Sequence, residues 1–122
     1  MNIKKYPEIQ KAVKQYKELV KEMEKLYSKI EALDRKGLED KKLSKQFDDL
    51  RAETIRYKTK LLPEIAFKNL SKTKPVIINK STKQTYKWDD LFNCSLTDLL
   101  KDGKKCMILT GITLEIGQFD IK

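Results

Sequence analysis

A short basic and aromatic segment at residues 80–88, KSTKQTYKW, carries the residue types in this chain that are best suited to binding an anion. Lys80, Lys83 and Lys87 can neutralise phosphate groups. Tyr86 and Trp88 are two residues apart, so on a β-strand both rings would point to the same face. Aromatic rings on one face can stack on bases, as they do in single-strand binders. The spacing therefore predicts a hairpin that binds a nucleotide or a nucleic acid.

The charge pattern around this segment differs from that of the rest of the chain. Residues 65–88 contain six lysines and no Asp or Glu, whereas the remaining sequence interleaves both signs. These lysines are Lys68, Lys72, Lys74, Lys80, Lys83 and Lys87. Arg56, Lys58 and Lys60 lie on a predicted helix, and they would extend the basic patch if the hairpin folds back over that helix.

A second interpretation of the same residues is structural. Tyr86 and Trp88 are equally suited to the core of a small domain, because large aromatic side chains are mostly buried, and the lysines would then form a solvated rim. Lysine also outnumbers arginine by 24 to 3. Arginine is the residue enriched for bidentate contacts to bases and phosphates, so this ratio argues against sequence-specific recognition.

Patterns typical of catalysis are missing from the sequence. The chain has no histidine, which excludes Ser-His-Asp triads and the commonest general base. It also has no Gly-rich phosphate loop and no nucleophile elbow. Two adjacent acid pairs, Asp48 with Asp49 and Asp89 with Asp90, are interpreted as a solvated helix face and as a cap near Trp88. We therefore expect a protein that is not an enzyme and that uses no metal and no cofactor.

The two cysteines, Cys94 and Cys106, are predicted to be reduced and buried. Each lies among apolar residues, as small buried hydrophobic side chains do. One Cys pair without His cannot build the usual zinc site. A disulfide is disfavoured in a cytosolic protein.

Two amphipathic helices at heptad spacing are predicted for the first seventy residues. The first stripe occupies three positions per heptad over residues 9–33, which is wide enough for a helix packed in a bundle. Its members are Ile9, Ala12, Val13, Tyr16, Leu19, Val20, Met23, Leu26, Tyr27, Ile30 and Leu33. The second stripe consists of Leu43, Phe47, Leu50, Thr54, Tyr57 and Leu61. Gly37 is predicted to stop the first helix and Asp40 to open the second.

The short connection between these helices predicts an antiparallel, coiled-coil-like hairpin. One partner helix cannot cover the whole first stripe, so we expect the chain to self-associate through its helices. Pro63 is predicted to end or bend the second helix and to begin a new helical turn.

A small α+β head, with one antiparallel sheet, is predicted for residues 71–122, after a hairpin domain at residues 1–70. KPVIIN and TYKW are expected to be strands joined by a loop near residues 80–83. SLTDLLKDG is expected to be a short helix with Ser95 as its N-cap. KKCMILT and ITLEI are expected to be two strands parted at Gly111. The predicted order in the head is therefore β-β-α-β-β.

Composition limits the class of protein. Hydrophobic residues make up 39% and charged residues 37%, and the formal net charge is +9. This balance favours anionic partners. No apolar run approaches the roughly 20 residues of a membrane span, and MNIKKYPEIQ lacks the apolar segment of a secretory signal. A cytoplasmic protein without a membrane segment is expected.

Three functions follow from these patterns. The first is a non-enzymatic protein that binds an anionic ligand, either a nucleotide or a nucleic acid. The second is a protein–protein interaction module whose helical hairpin blocks or scaffolds a partner. The third, disfavoured by the missing motifs, is a small enzyme. Small lysine-rich helical hairpins with a β head resemble, at the level of fold only, accessory proteins of phages and mobile elements, including nucleotide sponges. An inhibitory or sequestering role suits either of the first two functions.

Overall fold

The computed structural model describes residues 5–122, which are mostly helical and include one small antiparallel sheet. Residues 1–4, the start of the N-terminal segment considered above, lie outside the described residues. The helices are α1 (Pro7–Arg35), α2 (Lys41–Arg56), α3 (Leu62–Thr73), α4 (Trp88–Phe92), α5 (Leu96–Lys101) and α6 (Gly103–Leu114), with a π-helical segment (Tyr57–Leu61) between α2 and α3. The strands are β1 (Ile77–Asn79), β2 (Thr85–Tyr86) and β3 (Phe119–Ile121).

The turn between α1 and α2 forms where the sequence predicts it. Gly37 has a φ of +70°, a left-handed conformation that costs glycine little, and its N–H donates to the Asp34 carbonyl at 3.0 Å. The Asp40 side chain accepts a hydrogen bond from the Leu43 N–H at 3.1 Å. The predicted helix stop at Gly37 and helix start at Asp40 are confirmed.

Two aromatic contacts show how α1 packs against the helical segments that follow it in the chain. The rings of Tyr27 and Phe47 have centroids 5.9 Å apart. Further back along α1, the Tyr16 ring stacks on Tyr57 with centroids 6.5 Å apart. As residue numbers fall along α1, those of the contacting residues rise. The α1 side chains between Tyr16 and its C-terminus are at most half-buried, so this part of the predicted stripe is only partly covered.

The π-helical segment results from Pro63. Proline has no N–H, so it cannot donate to the carbonyl four residues earlier as an α-helix requires. The backbone instead shifts register, and the Leu62 N–H donates to the Tyr57 carbonyl, five residues back. Of the two predicted effects of Pro63, an end to the helix is wrong because helical backbone continues to Thr73, and the local change is instead the π-helical segment just before the proline. Pro63 does lie in the first turn of α3, as predicted for a new turn.

One buried cluster joins the beginning of α1, all of α3 and the C-terminal third of the chain. Ile9 from α1, Leu70 from α3 and Leu109 from α6 are nearly inaccessible to solvent. The other apolar members are Ala12, Val13, Leu62, Ala66, Ile77, Trp88, Phe92, Leu99, Cys106, Ile112 and Ile121. The core therefore draws on both sides of the predicted boundary at residue 70.

The first half of the head contains the predicted β-hairpin and helix, with one unpredicted short helix, α4, between them. β1 and β2 form an antiparallel hairpin in which Ile77 pairs with Tyr86. The Ser95 hydroxyl accepts a hydrogen bond from the Asp98 N–H at 3.2 Å and caps α5. The hairpin and the capped helix are confirmed.

The second half of the head corrects the prediction of two further strands. KKCMILT and the first three residues of ITLEI belong to one helix, α6, which ends at Leu114, and Glu115 and Ile116 follow it. The Asp102 carboxylate opens this helix by accepting from the N–H groups of Lys104 and Lys105 at 3.1 and 3.2 Å. Several α6 side chains are buried, and burial in the core outweighs the strand preference of its β-branched residues. The third strand is instead β3, which pairs with β1 and completes the order β2-β1-β3.

Candidate functional site

A cavity of about 520 Å³ lies between the π-helical segment and helices α5 and α6. We call it the π–α6 pocket. Its described lining consists of Lys58, Thr59, Lys60, Leu100, Lys101, Gly103, Cys106, Met107, Thr110, Gly111, Ile116 and Gly117. This volume falls within the roughly 300–1,000 Å³ of small-molecule pockets.

One wall of the pocket depends on the shifted register before Pro63. In a regular α-helix the Lys58 carbonyl would accept a hydrogen bond from the Leu62 N–H. Here the Leu62 N–H donates to the Tyr57 carbonyl instead. In π register the donor to the Lys58 carbonyl would be Pro63, which has no N–H. The Thr110 hydroxyl of α6 donates to this carbonyl at 3.2 Å. A single side chain therefore ties α6 to the π-helical segment and satisfies a backbone acceptor without a helical donor.

The floor of the pocket is formed where the chain turns back after α6. A Cβ atom added to Gly111 would lie 2.8 Å from the Gly117 Cα, and one added to Gly117 would lie 2.9 Å from the Gly111 Cα. The Gly111 carbonyl accepts from the N–H groups of Ile116 and Gly117 at 3.0 and 3.3 Å. The two glycines therefore permit a close backbone contact that no other residue pair would allow.

Three lysines surround the pocket. Lys58 and Lys60 come from the π-helical segment, and Lys101 comes from the end of α5. All three are exposed, and within residues 5–122 none of their ammonium groups takes part in an ion pair. The pocket lining therefore includes three positively charged side chains that are not paired with an acid among the described residues.

Apolar side chains lie next to these lysines in solvent. Met107 is 75% exposed and Ile116 is 69% exposed, and both line the pocket together with the exposed Leu100. Exposed apolar groups that cluster around a concave surface are typical of a binding site.

The structure places the basic residues of the predicted binding site in two separate regions, one at the pocket and one around the β1–β2 turn. Lys58 and Lys60 line the π–α6 pocket, and Arg56 is exposed at the end of α2. Lys80 and Lys83 are exposed in the turn between β1 and β2, where the Lys80 N–H donates to the Gln118 carbonyl at 2.7 Å. Lys87 is exposed and precedes α4.

The two aromatic candidates do not share a strand face. Trp88 begins helix α4 and is 3% exposed, with its ring centroid 4.5 Å from that of Phe92 and 6.0 Å from that of Phe67. The prediction of a paired stacking surface is wrong in this respect, because the Trp88 ring is occupied by the core. Tyr86 is half-buried, and its hydroxyl donates to the Gln84 side chain at 3.0 Å.

The acid-free run of residues 65–88 is partly neutralised from just outside its ends. Lys68 forms an ion pair with Glu64 at 3.0 Å. Lys74 forms one with Asp89 at 3.4 Å. The run is therefore less charged in the fold than in the sequence.

Both cysteines are free thiols, Cys106 buried and Cys94 half-buried. The Cys106 thiol donates to the Leu99 carbonyl at 3.0 Å. Burial raises the pKa of Cys106, and negative charge on Asp102 and on Cys94 raises it further. A thiol held in its protonated form is a poor nucleophile, so Cys106 is a lining residue without evident reactivity.

The sequence patterns do not indicate the four lining residues Lys101, Leu100, Met107 and Ile116. The patterns KKCMILT and ITLEI predict strands for Met107 and Ile116, and strands would not bring these residues into one pocket with Leu100. One feature of the sequence does point to the helix α6. Asp102 precedes an apolar run long enough for a helix, and this combination favours one capped helix over two strands.

No protein-family model, no curated protein and no solved structure matches this chain. Within residues 5–122 no helix has both the length and the apolar character needed to cross a membrane. In the same part of the chain no group of three or more Cys, Asp or Glu side chains could hold a metal ion.

Proposed function

We propose that this protein is a non-enzymatic binding protein that holds an anionic ligand in the π–α6 pocket. The observation that supports this proposal is the apolar cavity bordered by three lysines without ion-pair partners among the described residues. An apolar cavity with a few convergent polar groups is the usual form of a small-molecule site. By sequestering such a ligand, the protein would act in an accessory or inhibitory role, as accessory proteins of phages and mobile elements do.

The proposed site differs from the hairpin site expected from the sequence. Lys80, Lys83 and Lys87 remain candidates for contacting a nucleotide or a nucleic acid, together with Tyr86. A binding site at these residues would lack the stacking surface predicted for Trp88, because the Trp88 ring is buried. Lys58, Lys60 and Lys101 instead lie around one concave apolar surface, where a ligand can lose water from its apolar part.

The two lysine groups provide a matched experiment. We expect a fluorescent apolar anion, anilinonaphthalene sulfonate, to bind the wild-type protein. The triple variant Lys58→Gln, Lys60→Gln, Lys101→Gln should bind it roughly 3- to 100-fold more weakly, since exposed ion pairs contribute about 0.2–1 kcal/mol each. The control variant Lys80→Gln, Lys83→Gln, Lys87→Gln removes the same charge and should retain wild-type affinity.

The outcomes separate the two sites. Loss of binding in the control variant alone would assign the site to the hairpin. Equal small losses in both variants would show only a general effect of net charge. Wild-type protein that binds neither this probe, nor nucleotides, nor single-stranded nucleic acid at low salt would end the ligand proposal.

A second proposal concerns the helices. We propose that α1 and α2 form a coiled-coil-like hairpin that self-associates through the part of its stripe left open. Tyr27 is 55% exposed, and its heptad neighbours Met23, Leu26 and Ile30 are only half-buried. Covering these side chains with a second copy would remove apolar surface from water. Sedimentation of the wild-type protein tests this, and a monomer at high concentration would contradict it. The same face could instead dock on another protein, as in the interaction-module alternative.

A further inference from the structure

The polar side chains inside the π–α6 pocket are already engaged within the protein. The Thr59 hydroxyl donates to the Ile55 carbonyl at 2.8 Å, and the Thr110 hydroxyl donates to the Lys58 carbonyl at 3.2 Å. The Cys106 thiol donates to the Leu99 carbonyl at 3.0 Å. The single proton of each group is therefore already donated within the protein, so none of them can donate a hydrogen bond to a ligand without breaking a contact.

The N-terminus of α6, although it borders the pocket at Gly103, is also occupied. The Asp102 carboxylate accepts from the Lys104 and Lys105 N–H groups at 3.1 and 3.2 Å. A capping carboxylate already supplies the negative charge that this helix end favours. The side-chain hydrogen-bond donors left for a ligand are therefore the ammonium groups of Lys58, Lys60 and Lys101.

A nucleotide suits this lining poorly. None of the described residues that line the pocket is aromatic, so a base would find no ring on which to stack. The ring that could have served, Trp88, is buried between Phe67 and Phe92. The acceptor atoms of a base would face hydroxyl and thiol groups whose protons are already donated elsewhere, and leaving these atoms without a partner costs binding free energy.

We propose that the ligand is a single amphipathic anion with a long apolar body, such as an alkyl carboxylate. Its chain would lie against Leu100, Met107, Ile116 and the glycines of the floor, and its anionic head would meet the lysines at the rim. This inference rests on the proposed function, because it names the chemical class of the ligand for the same pocket. It also accounts for the exposure of Met107 and Ile116 beside three cations, which a site for a purely polar anion would not require.

Calorimetric titration with octanoate, decanoate and dodecanoate, kept below micelle formation, tests the proposal. Affinity should rise by about fourfold for each added CH₂ group that becomes buried. Alkyltrimethylammonium ions of equal length should bind at least tenfold more weakly, because their charge is repelled by the lysines. Nucleoside triphosphates and free acetate should bind weakly or not at all.

Two variants link the chain-length effect to the pocket. The double variant Met107→Ser, Ile116→Ser removes exposed apolar groups from the lining and should reduce the gain per CH₂ group with little loss of stability. Leu38→Ser is the control, because Leu38 is also exposed and apolar but lies in the loop between α1 and α2. It should leave the chain-length series unchanged.

Each outcome bears on a distinct claim. Binding of anilinonaphthalene sulfonate without any dependence on alkyl chain length would overturn the amphipathic-anion proposal and leave the proposed function intact. Chain-length dependence that is equal for anions and cations would overturn it as well. Binding to vesicles of anionic lipid, with no binding of monomeric dodecanoate, would replace it with a membrane-surface interaction. Failure to bind any anion would remove both proposals.

Discussion

The hydroxyl of Thr110 donates to the backbone carbonyl of Lys58, 52 residues earlier in the chain, at a distance of 3.2 Å. This carbonyl has no helical donor, because Leu62 bonds elsewhere and Pro63 has no N–H. The hydrogen bond joins α6 to the π-helical segment at the wall of the pocket. The pocket therefore depends on a proline and a threonine that are distant in sequence.

Replacing Thr110 with valine should destabilise the protein by about 1–2 kcal/mol, because the Lys58 carbonyl would lose its donor in a partly buried position. Urea unfolding measures this change. Thr113→Val is the control. Its hydroxyl donates to the Thr110 carbonyl within α6, an acceptor that the helix can satisfy by itself, so its loss should cost less. Equal costs for both variants would contradict a special role for Thr110.

Gly111→Ala should destabilise the protein, although alanine usually stabilises a helix by up to about 1 kcal/mol relative to glycine. The new Cβ would lie 2.8 Å from the Gly117 Cα, and backbone atoms must move to admit it. Gly103→Ala is the matched control in the same helix, because nothing lies within 4 Å of its added Cβ. Thermal unfolding should show opposite signs for the two variants. Stabilisation by Gly111→Ala would show that the close contact is easily relieved.

Cys106 should react with thiol reagents more slowly than Cys94, and the difference should persist to alkaline pH. Burial raises the pKa of Cys106 above its ordinary value of 9.0, with Asp102 and Cys94 adding to the effect. The variants Cys94→Ser and Cys106→Ser isolate each thiol for rate measurements across pH. Fast reaction of Cys106 near neutral pH would contradict its burial.

The same raised pKa has a consequence for stability. The folded protein holds the Cys106 proton more tightly than the unfolded chain does. Above the unfolded pKa the unfolded chain releases a proton that the folded state keeps, so the free energy of unfolding should fall as pH rises through the folded pKa. Cys106→Ala removes this titration. The alkaline decline should be shallower in that variant than in the wild-type protein.

Leu26→Glu should shift the chain toward monomer, because a carboxylate would replace an apolar side chain on the stripe proposed for self-association. Sedimentation at several concentrations gives the change in association. Ser28→Glu adds the same charge at an exposed position two residues away and should leave association unchanged. If both variants behave alike, the effect is one of net charge and not of the stripe.

Local signals in the sequence predicted much of the fold. Asp40 and Ser95 cap helices through contacts within three residues, and Gly37 takes a left-handed turn, so neighbouring residues suffice to locate them. The same holds for the hairpin of β1 and β2. These features depend little on the rest of the molecule.

The errors arose where burial decides the structure. The α6 sequence is rich in β-branched residues, and its helix is stabilised by packing that only the complete core provides. The pattern TYKW predicts a strand that holds Trp88 beside Tyr86, whereas the Trp88 ring packs on Phe67 from helix α3. The pocket could not be predicted either, because Lys58 and Met107 become neighbours only when α6 docks.

The single core also covers only the first part of α1, so the two parts of this helix should differ in dynamics. Ile9, Ala12 and Val13 are packed with α3 and the last third of the chain, whereas no side chain beyond Val13 in α1 is fully buried. The hydrogen-bonded amide groups near Ala12 and Val13 should exchange with solvent only when the whole protein unfolds, and those toward Arg35 should exchange through local opening. One continuous helix thus begins in a protected region and ends where local opening is expected, so a partner bound at that end would order it without disturbing the pocket.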